Sequence, residues 1–211
     1  HKDLGIVNPG RYINLLEETK LSHYLDLYVF EEVCKTLHRW EVEGIPLIPI
    51  AVNFAGATLK QESIADKMLH LIEKYHVRCE YLEVEVSESG SDMNQEMLAE
   101  TSSKIRKANV RVILDHFGAK DSSFSILSLM EFDGLKLDKS LITNIVGNTR
   151  SRIVAQAVID ICRQLGAFVQ ASGVETQDQL NVLKELGCDY AQGTLFNKPI
   201  TIETFEVRYM K

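Results

Sequence analysis

The chain has 211 residues, 45% of them hydrophobic and 25% charged, enough for one domain with a well-buried core and of ordinary globular composition. Its formal net charge of −7 excludes the broad basic face that binds a nucleic-acid polymer, while a small anionic ligand needs only local donors. No apolar run reaches the roughly 18 residues of a membrane span, and the four cysteines at 34, 79, 162 and 188 are too scattered for a zinc motif or a disulfide framework.

Residues 22–40 carry apolar side chains at three- and four-residue steps, the pattern of an amphipathic helix. A strand follows over 47–52 (LIPIAV), ending at Asn53. After a second helix over 62–75 comes 81–86 (YLEVEV), which carries Glu83 and Glu85 and runs into Ser87 and Glu88. The next helix, 92–107, leads to 110–114 (VRVIL), which ends at Asp115 and His116. The run 134–138 (GLKLD) carries Lys136 and Asp138. Helix 149–165 precedes 167–171 (AFVQA), which ends at Ser172 with Glu175 close behind. A last helix, 176–186, leads to 188–192 (CDYAQ), which ends at Gln192. Ser22, Thr149 and Thr176 are candidate helix N-caps. Gly44, Gly166 and Gly187 fall between a helix and the next strand, where helices stop.

Strands that alternate with helices pair in parallel through crossover connections. The expectation is an α/β domain spanning 1–211. Six strands are too few to close an eight-stranded barrel. The start at His1 reads as a position inside a longer chain, so the missing N-terminal strands, and other signalling domains, are expected upstream. An open sheet exposes its edges, and strands from the parent chain or a partner should cover them. The cysteines each sit in or beside an apolar segment, which predicts buried free thiols in a reducing cytoplasm. Any membrane tether would come from upstream domains.

Every strand ends in a polar residue, and parallel barrels build their sites from such ends. Asn53, Glu85 and Asp115 are oxygen donors of the kind that hard cations such as Mg²⁺ and Mn²⁺ accept. Lys136 can offset charge on a phosphate, Glu175 can hold a water, and Gln192 can donate to a ligand. Any one of them alone is an ordinary solvated strand end; the parallel order is what brings them together. Trp40 reads as a packing anchor, and Lys104, Arg106 and Lys107 as a solvated helix face.

The stretches Ala51–Phe54, Leu82–Ser89, Leu114–Gly118, Leu135–Ser140, Ser172–Thr176 and Gly187–Phe196 together resemble the EAL domain family, in family order and spacing. That family comprises the bacterial cyclic di-GMP phosphodiesterases and their inactive relatives. The resemblance implies a modified TIM (β/α)8-like barrel, here incomplete at its N-terminus, in which two metal ions activate water for attack on phosphorus. It implies metal ligands at Asn53, Glu85 and Asp115, a catalytic lysine at Lys136, a catalytic glutamate at Glu175 and a substrate-binding glutamine at Gln192. Glu88 would support the loop after Asp115.

Four departures bear on activity. The glutamate of the family signature would precede His1. The family's second aspartate is His116, and a neutral imidazole removes a charge that a second Mg²⁺ needs. The first glutamate of the family's EGVE motif is Ser172. The loop at 119–123 lacks the family's Thr-Gly-Tyr, which sets the family's dimer in question. The reading that follows is a degenerate domain that binds cyclic di-GMP and signals without catalysis, with Mg²⁺ or Mn²⁺ at a weakened site. The alternatives are a protein-interaction module with a vestigial pocket, and a metal-dependent phosphodiesterase of weak activity.

Overall fold

The structure, a computed structural model, describes residues 12–19, 21–59, 61–87, 95–119 and 124–210. Six strands form one sheet in the order β1-β2-β3-β4-β5-β6, and every neighbouring pair is parallel. They are β1 (Ile50–Phe54), β2 (Leu82–Ser87), β3 (Arg111–Phe117), β4 (Gly134–Leu137), β5 (Phe168–Ser172) and β6 (Tyr190–Gln192). The longer helices are α2 (Ser22–Glu43), α4 (Ile64–Lys74), α5 (Gln95–Lys107), α8 (Thr149–Gln164), α9 (Gln177–Leu186) and α10 (Ile202–Tyr209). Shorter ones are α1 (Ile13–Glu18), α3 (Gly56–Leu59), α6 (Ile126–Leu129) and α7 (Lys139–Thr143). Consecutive strands as sequential neighbours, joined by helices, are the parallel crossover order the periodicity predicts and the barrel-like topology the family resemblance implies.

The core lies between the outer face of this sheet and the helices. Val52 and Phe54 of β1, Val84 and Val86 of β2, Leu135 and Leu137 of β4, and Val169 and Ala171 of β5 are all buried there. They meet Phe30, Cys34, Leu37, Met68, Ile105, Val158 and Leu183 from the helices. The period of two in each strand sends the alternate residues to the opposite, inner face. Asn53, Glu85, Lys136, Gln170, Ser172 and Gln192 fall on that alternate set.

Several boundaries differ from the sequence expectation, each for a physical reason. β1 begins at Ile50 rather than 47, because Pro46 and Pro49 have no N–H to give the ladder. Asn53 therefore lies within β1, and Asp115 and His116 lie within β3. α8 is capped by Asn148, which accepts from the backbone N–H of Arg150 and Ser151, not by Thr149. Ser22 opens α2 without a capping bond; the cap position is Leu21. Thr176 does cap α9, in a reciprocal box with Gln179. Gly44, Gly166 and Gly187 all adopt positive φ at helix ends. Helices α3, α6 and α7 are too short to leave a periodic signal.

All four cysteines are free. Cys34 and Cys162 are buried, and burial pushes their thiols up to about 12 and about 11, while Cys79 and Cys188 are only partly covered. Arg106 is not a solvated helix residue. Its guanidinium donates twice to Asp133, at 3.0 and 2.9 Å, and once to Glu131 at 2.8 Å, tying α5 to the entry of β4. Among the described residues no helix is long and apolar enough to cross a membrane.

The helical layer links its own ends. Trp40, 1% exposed near the end of α2, donates its indole N–H to Glu206 of α10 at 2.6 Å. Arg39 pairs with the same carboxylate. The element that precedes β1 thus holds the element that follows β6, so Trp40 is both the expected packing anchor and a donor. A Glu206→Ala variant leaves that buried N–H without its acceptor and should lose about 1–3 kcal/mol of stability. Trp40 is the sole tryptophan, so its fluorescence in a denaturant titration reads the loss directly, and an unchanged midpoint would exclude the link.

Candidate functional site

The strand ends carry their polar side chains at matching heights. Asn53 pairs in register with Glu85, Ser87 with Asp115, Lys136 with Gln170, and Ser172 with Gln192. The centre is a buried charge cluster. Lys136 Nζ donates to Glu85 Oε2 at 2.7 Å and lies 3.8 Å from Asp115 Oδ1. The three side chains are only 6–7% exposed. Burial pushes the Glu85 carboxyl above its ordinary range, opposed by the Lys136 ammonium. Asn53 stands exposed beside it at the edge of the sheet.

A bulge presents the next pair. The β3–β4 register runs Leu114↔Leu135 and then Phe117↔Leu137, so β3 spends one residue more than its partner. Such a bulge re-aims side chains at a strand end. Leu114 and Phe117 both stay in the core, while Asp115 and His116 between them take part in the polar cluster. His116 adopts φ 58°, a left-handed conformation that costs a non-glycine residue roughly 1–2 kcal/mol. Its backbone N–H donates to Asp115 Oδ1 at 2.7 Å. Its ring bridges two carboxylates: Nδ1 is 3.1 Å from Asp138 Oδ2 and Nε2 is 3.4 Å from Asp115 Oδ2. Asp138 also caps α7 by accepting from the Ser140 backbone N–H. Burial would raise Asp138, but its Ser140 and His116 partners outweigh that and hold it below the usual carboxylate range.

The opposite rim is made by the ends of β5 and β6. Glu175 receives a hydrogen bond from Lys139 Nζ, and its backbone N–H donates to Gln179 Oε1 at 2.8 Å. Gln192 accepts from Gln170 Nε2 at 3.4 Å. Gly193 follows Gln192 because the backbones touch there: a Cβ would stand 2.0 Å from the Val174 carbonyl oxygen. Val174 N–H donates to the Gln192 carbonyl at 3.0 Å, fixing Gln192 beside the loop that carries Glu175.

The structure therefore brings Glu85, Asp115, His116 and Lys136 into direct contact, with Asn53 in register at one side and Ser172, Glu175 and Gln192 on the strands and loop at the other. Glu88 and the loop residues 120–123 lie outside the described residues. Sequence reasoning leaves Asp138 and Lys139 without a role, although their place just past Lys136 and Leu137, at the end of the same apolar run, was the available signal. The oxygen donors Asn53, Glu85 and Asp115 are of the kind a hard dication takes. Among the described residues no three His, Cys, Asp or Glu side chains already stand as a metal cluster; Lys136 occupies the position between Glu85 and Asp115.

A family model described as EAL domain matches residues 1–199. The chain is 32% identical over 206 residues to the cyclic di-GMP phosphodiesterase NbdA of Pseudomonas aeruginosa, covering 98% of the chain and 26% of that protein. It is 33% identical over 198 residues to the signaling protein YkoW of Bacillus subtilis, covering 94% of the chain and 25% of that protein. The chain thus spans about a quarter of the length of these relatives. Among solved structures, the PaMucR phosphodiesterase in complex with c-di-GMP superposes with a TM-score of 0.88 at 25% identity, over 97% of this chain and 83% of that one. The EAL domain of Mycobacterium smegmatis DcpA gives 0.82 at 25% identity, over 89% and 84%.

The buried pair makes a stability prediction with a definite sign. Removing the ammonium in Lys136→Met leaves Glu85 charged without a partner, which costs about 3–5 kcal/mol. Glu85 titrates above the ordinary value, so its charged form opposes folding, and that opposition is absent below the unfolded pKa. The loss in Lys136→Met should accordingly be largest at neutral pH and shrink as the pH falls and Glu85 takes up its proton. Urea denaturation of parent and variant from neutral to mildly acidic pH checks this. A loss that is the same at every pH would mean Glu85 is not the group left uncompensated.

Proposed function

Starting from the chain's membership of the EAL domain family, we propose that it binds cyclic di-GMP at the strand-end site and acts as a regulatory receptor that does not hydrolyse its ligand. The observation that carries this reading is the absence of a carboxylate at His116 and at Ser172. Both stand where the family pattern has carboxylates. His116 lies between Asp115 and Asp138 as an imidazole, and Ser172 sits in register with Gln192.

The donor set fits one hard cation and not two. Asn53, Glu85 and Asp115 would hold the first, with Lys136 releasing its carboxylate to it. A bound Mg²⁺ or Mn²⁺ there would polarise a phosphate oxygen of the ligand. The second position would have an imidazole nitrogen, a donor Mg²⁺ takes poorly, and a serine hydroxyl that brings no charge, in place of two charged oxygens. In this reading Lys136 keeps Glu85 and Asp115 compatible with each other until the cation takes its place. Gln192 donates to the ligand, and Glu175 lines the rim as a residue inherited from the hydrolytic site. Glu88 supports the loop after Asp115. The domain comprises 1–211 and completes its barrel with strands from the parent chain or a partner. Its output passes to other signalling domains or proteins. The ligand assignment is supported by the relatives named as cyclic di-GMP phosphodiesterases and by the c-di-GMP complex of PaMucR.

One observation favours a second reading, a slow phosphodiesterase: Asn53, Glu85, Asp115, Lys136 and Glu175 are all retained around one site. Calorimetric titration of cyclic di-GMP into the full-length protein with Mg²⁺ or Mn²⁺, followed by chromatography of the same sample, separates the two. A receptor shows binding and no linear dinucleotide. Linear product at any metal concentration would make the protein an enzyme, and absence of binding would leave a protein-interaction role. In the receptor case, the double replacement His116→Asp, Ser172→Glu restores the two carboxylates and should introduce measurable turnover. Continued inactivity would show that these two positions are not the full cause.

A further inference from the structure

Lys139 has no part in the chemistry assigned so far, yet its setting is specific. It opens α7, directly after the Asp138 cap. Its aliphatic stem lies over Gly173, where a Cβ would stand 2.6 Å from Lys139 Cγ and 2.8 Å from its Cβ. Gly173 also has φ 75°, a backbone that side-chain-bearing residues avoid. The missing side chain makes the channel along which Lys139 reaches Glu175. Lys139 is 58% exposed and Glu175 48%. Lys136, at 6% exposure, is already engaged with Glu85 and cannot turn outward without leaving that carboxylate alone.

We propose that Lys139 is the cation that meets a phosphate of the incoming cyclic dinucleotide, held on Glu175 until the ligand displaces that carboxylate. The inference rests on the receptor reading above and adds to it the group that makes first contact. Its warrant is charge. Among the described residues, Glu85, Asp115, Asp138 and Glu175 put four carboxylates at this end of the sheet, against the two ammonium groups of Lys136 and Lys139. A ligand with two phosphodiester groups approaches a negative mouth, and an exposed ammonium at its rim is what offsets that repulsion. Exchange is easy because a solvent-exposed ion pair contributes little. The bond gained, ammonium to phosphate, is of the stronger, charge-assisted kind.

The test is titration of cyclic di-GMP into the full-length protein and into Lys139→Gln, Lys139→Arg and Glu175→Gln variants, at low and physiological salt. Lys139→Gln should weaken binding about tenfold, the effect of one lost charge-assisted contact, with a shallower salt dependence. Lys139→Arg should retain the affinity. Glu175→Gln releases the ammonium and should bind at least as tightly as the parent. Equal weakening by Lys139→Gln and Glu175→Gln would mean that the pair only holds the two loops together, and the inference would be wrong. Parent binding with an unaffected Lys139→Gln variant would overturn the inference alone. No binding by the folded parent would overturn the receptor reading and this inference together. If Lys139→Gln fails to fold, the opposite signs expected of the ligand-contact and loop-holding roles are still read from Glu175→Gln.

Discussion

The placement of Lys136 against Glu85 and Asp115 is the constraint on which the site depends. Two carboxylates on adjacent strands, both nearly fully covered, repel each other in a medium that screens poorly. Something positive must stand between them. In this structure it is Lys136, 2.7 Å from one and 3.8 Å from the other. A buried pair of this kind adds little net stability over an apolar replacement, and it becomes expensive as soon as one member is removed. Its presence is therefore a cost that packing alone does not require. A dication could take the same place, because it satisfies the same two carboxylates. The lysine and the cation are alternatives for one electrostatic task, and binding one means moving the other.

The bulge in β3 decides what lies next to that task. Without the extra residue, His116 would alternate onto the opposite face from Asp115 and enter the core beside Leu114. The left-handed backbone at His116 absorbs the extra residue and keeps two consecutive polar side chains on the site. Histidine tolerates this conformation better than most residues. The strain is offset locally, since the His116 backbone N–H and both ring nitrogens lie near carboxylates. The ring thus ties the end of β3 to Asp138, and through the Asp138 cap to α7.

Much of this arrangement was legible in the sequence, for reasons that also explain the rest. The strands were readable because each is a short apolar run flanked by glycine or by polar residues. The α2 and α8 helices were readable because their length gives several turns of periodicity. The convergence of Asn53, Glu85, Asp115 and Lys136 followed from parallel order alone, since parallel strands put all their C-terminal ends on one side. The bulge was not legible, because a polar pair between Leu114 and Phe117 fits a strand end as well as it fits an inserted residue. Arg106 was misread because the acids that bind it, Glu131 and Asp133, lie 25 and 27 residues away and a helix-face pattern carries no record of them. The Asn148 cap was missed in favour of its neighbour Thr149 because both are good capping residues, and only the backbone angle separates them.

Charge balance then connects the deep part of the site to its rim. Four carboxylates at the strand ends, among the described residues, have partners: Glu85 and Asp115 have Lys136, Asp138 has His116, and Glu175 has Lys139. These partners differ in exposure, from 6% at Lys136 to 58% at His116 and Lys139. The exposed ones can change partner at little cost, because water compensates the released group; the buried one can do so only when another cation takes its place. In the receptor reading an anionic ligand would meet a graded surface, in which the outer pairs open for it while the inner group stays at the strand ends. Hydrolysis needs the inner part as well, because the charge that builds up on a phosphorane must be met by cations close to the phosphorus. In that reading His116 and Ser172 stand where a second cation would need carboxylates, while the outer pairs, Asp138 with His116 and Glu175 with Lys139, are intact. In the receptor reading proposed above, binding and catalysis would separate along the depth of the strand ends.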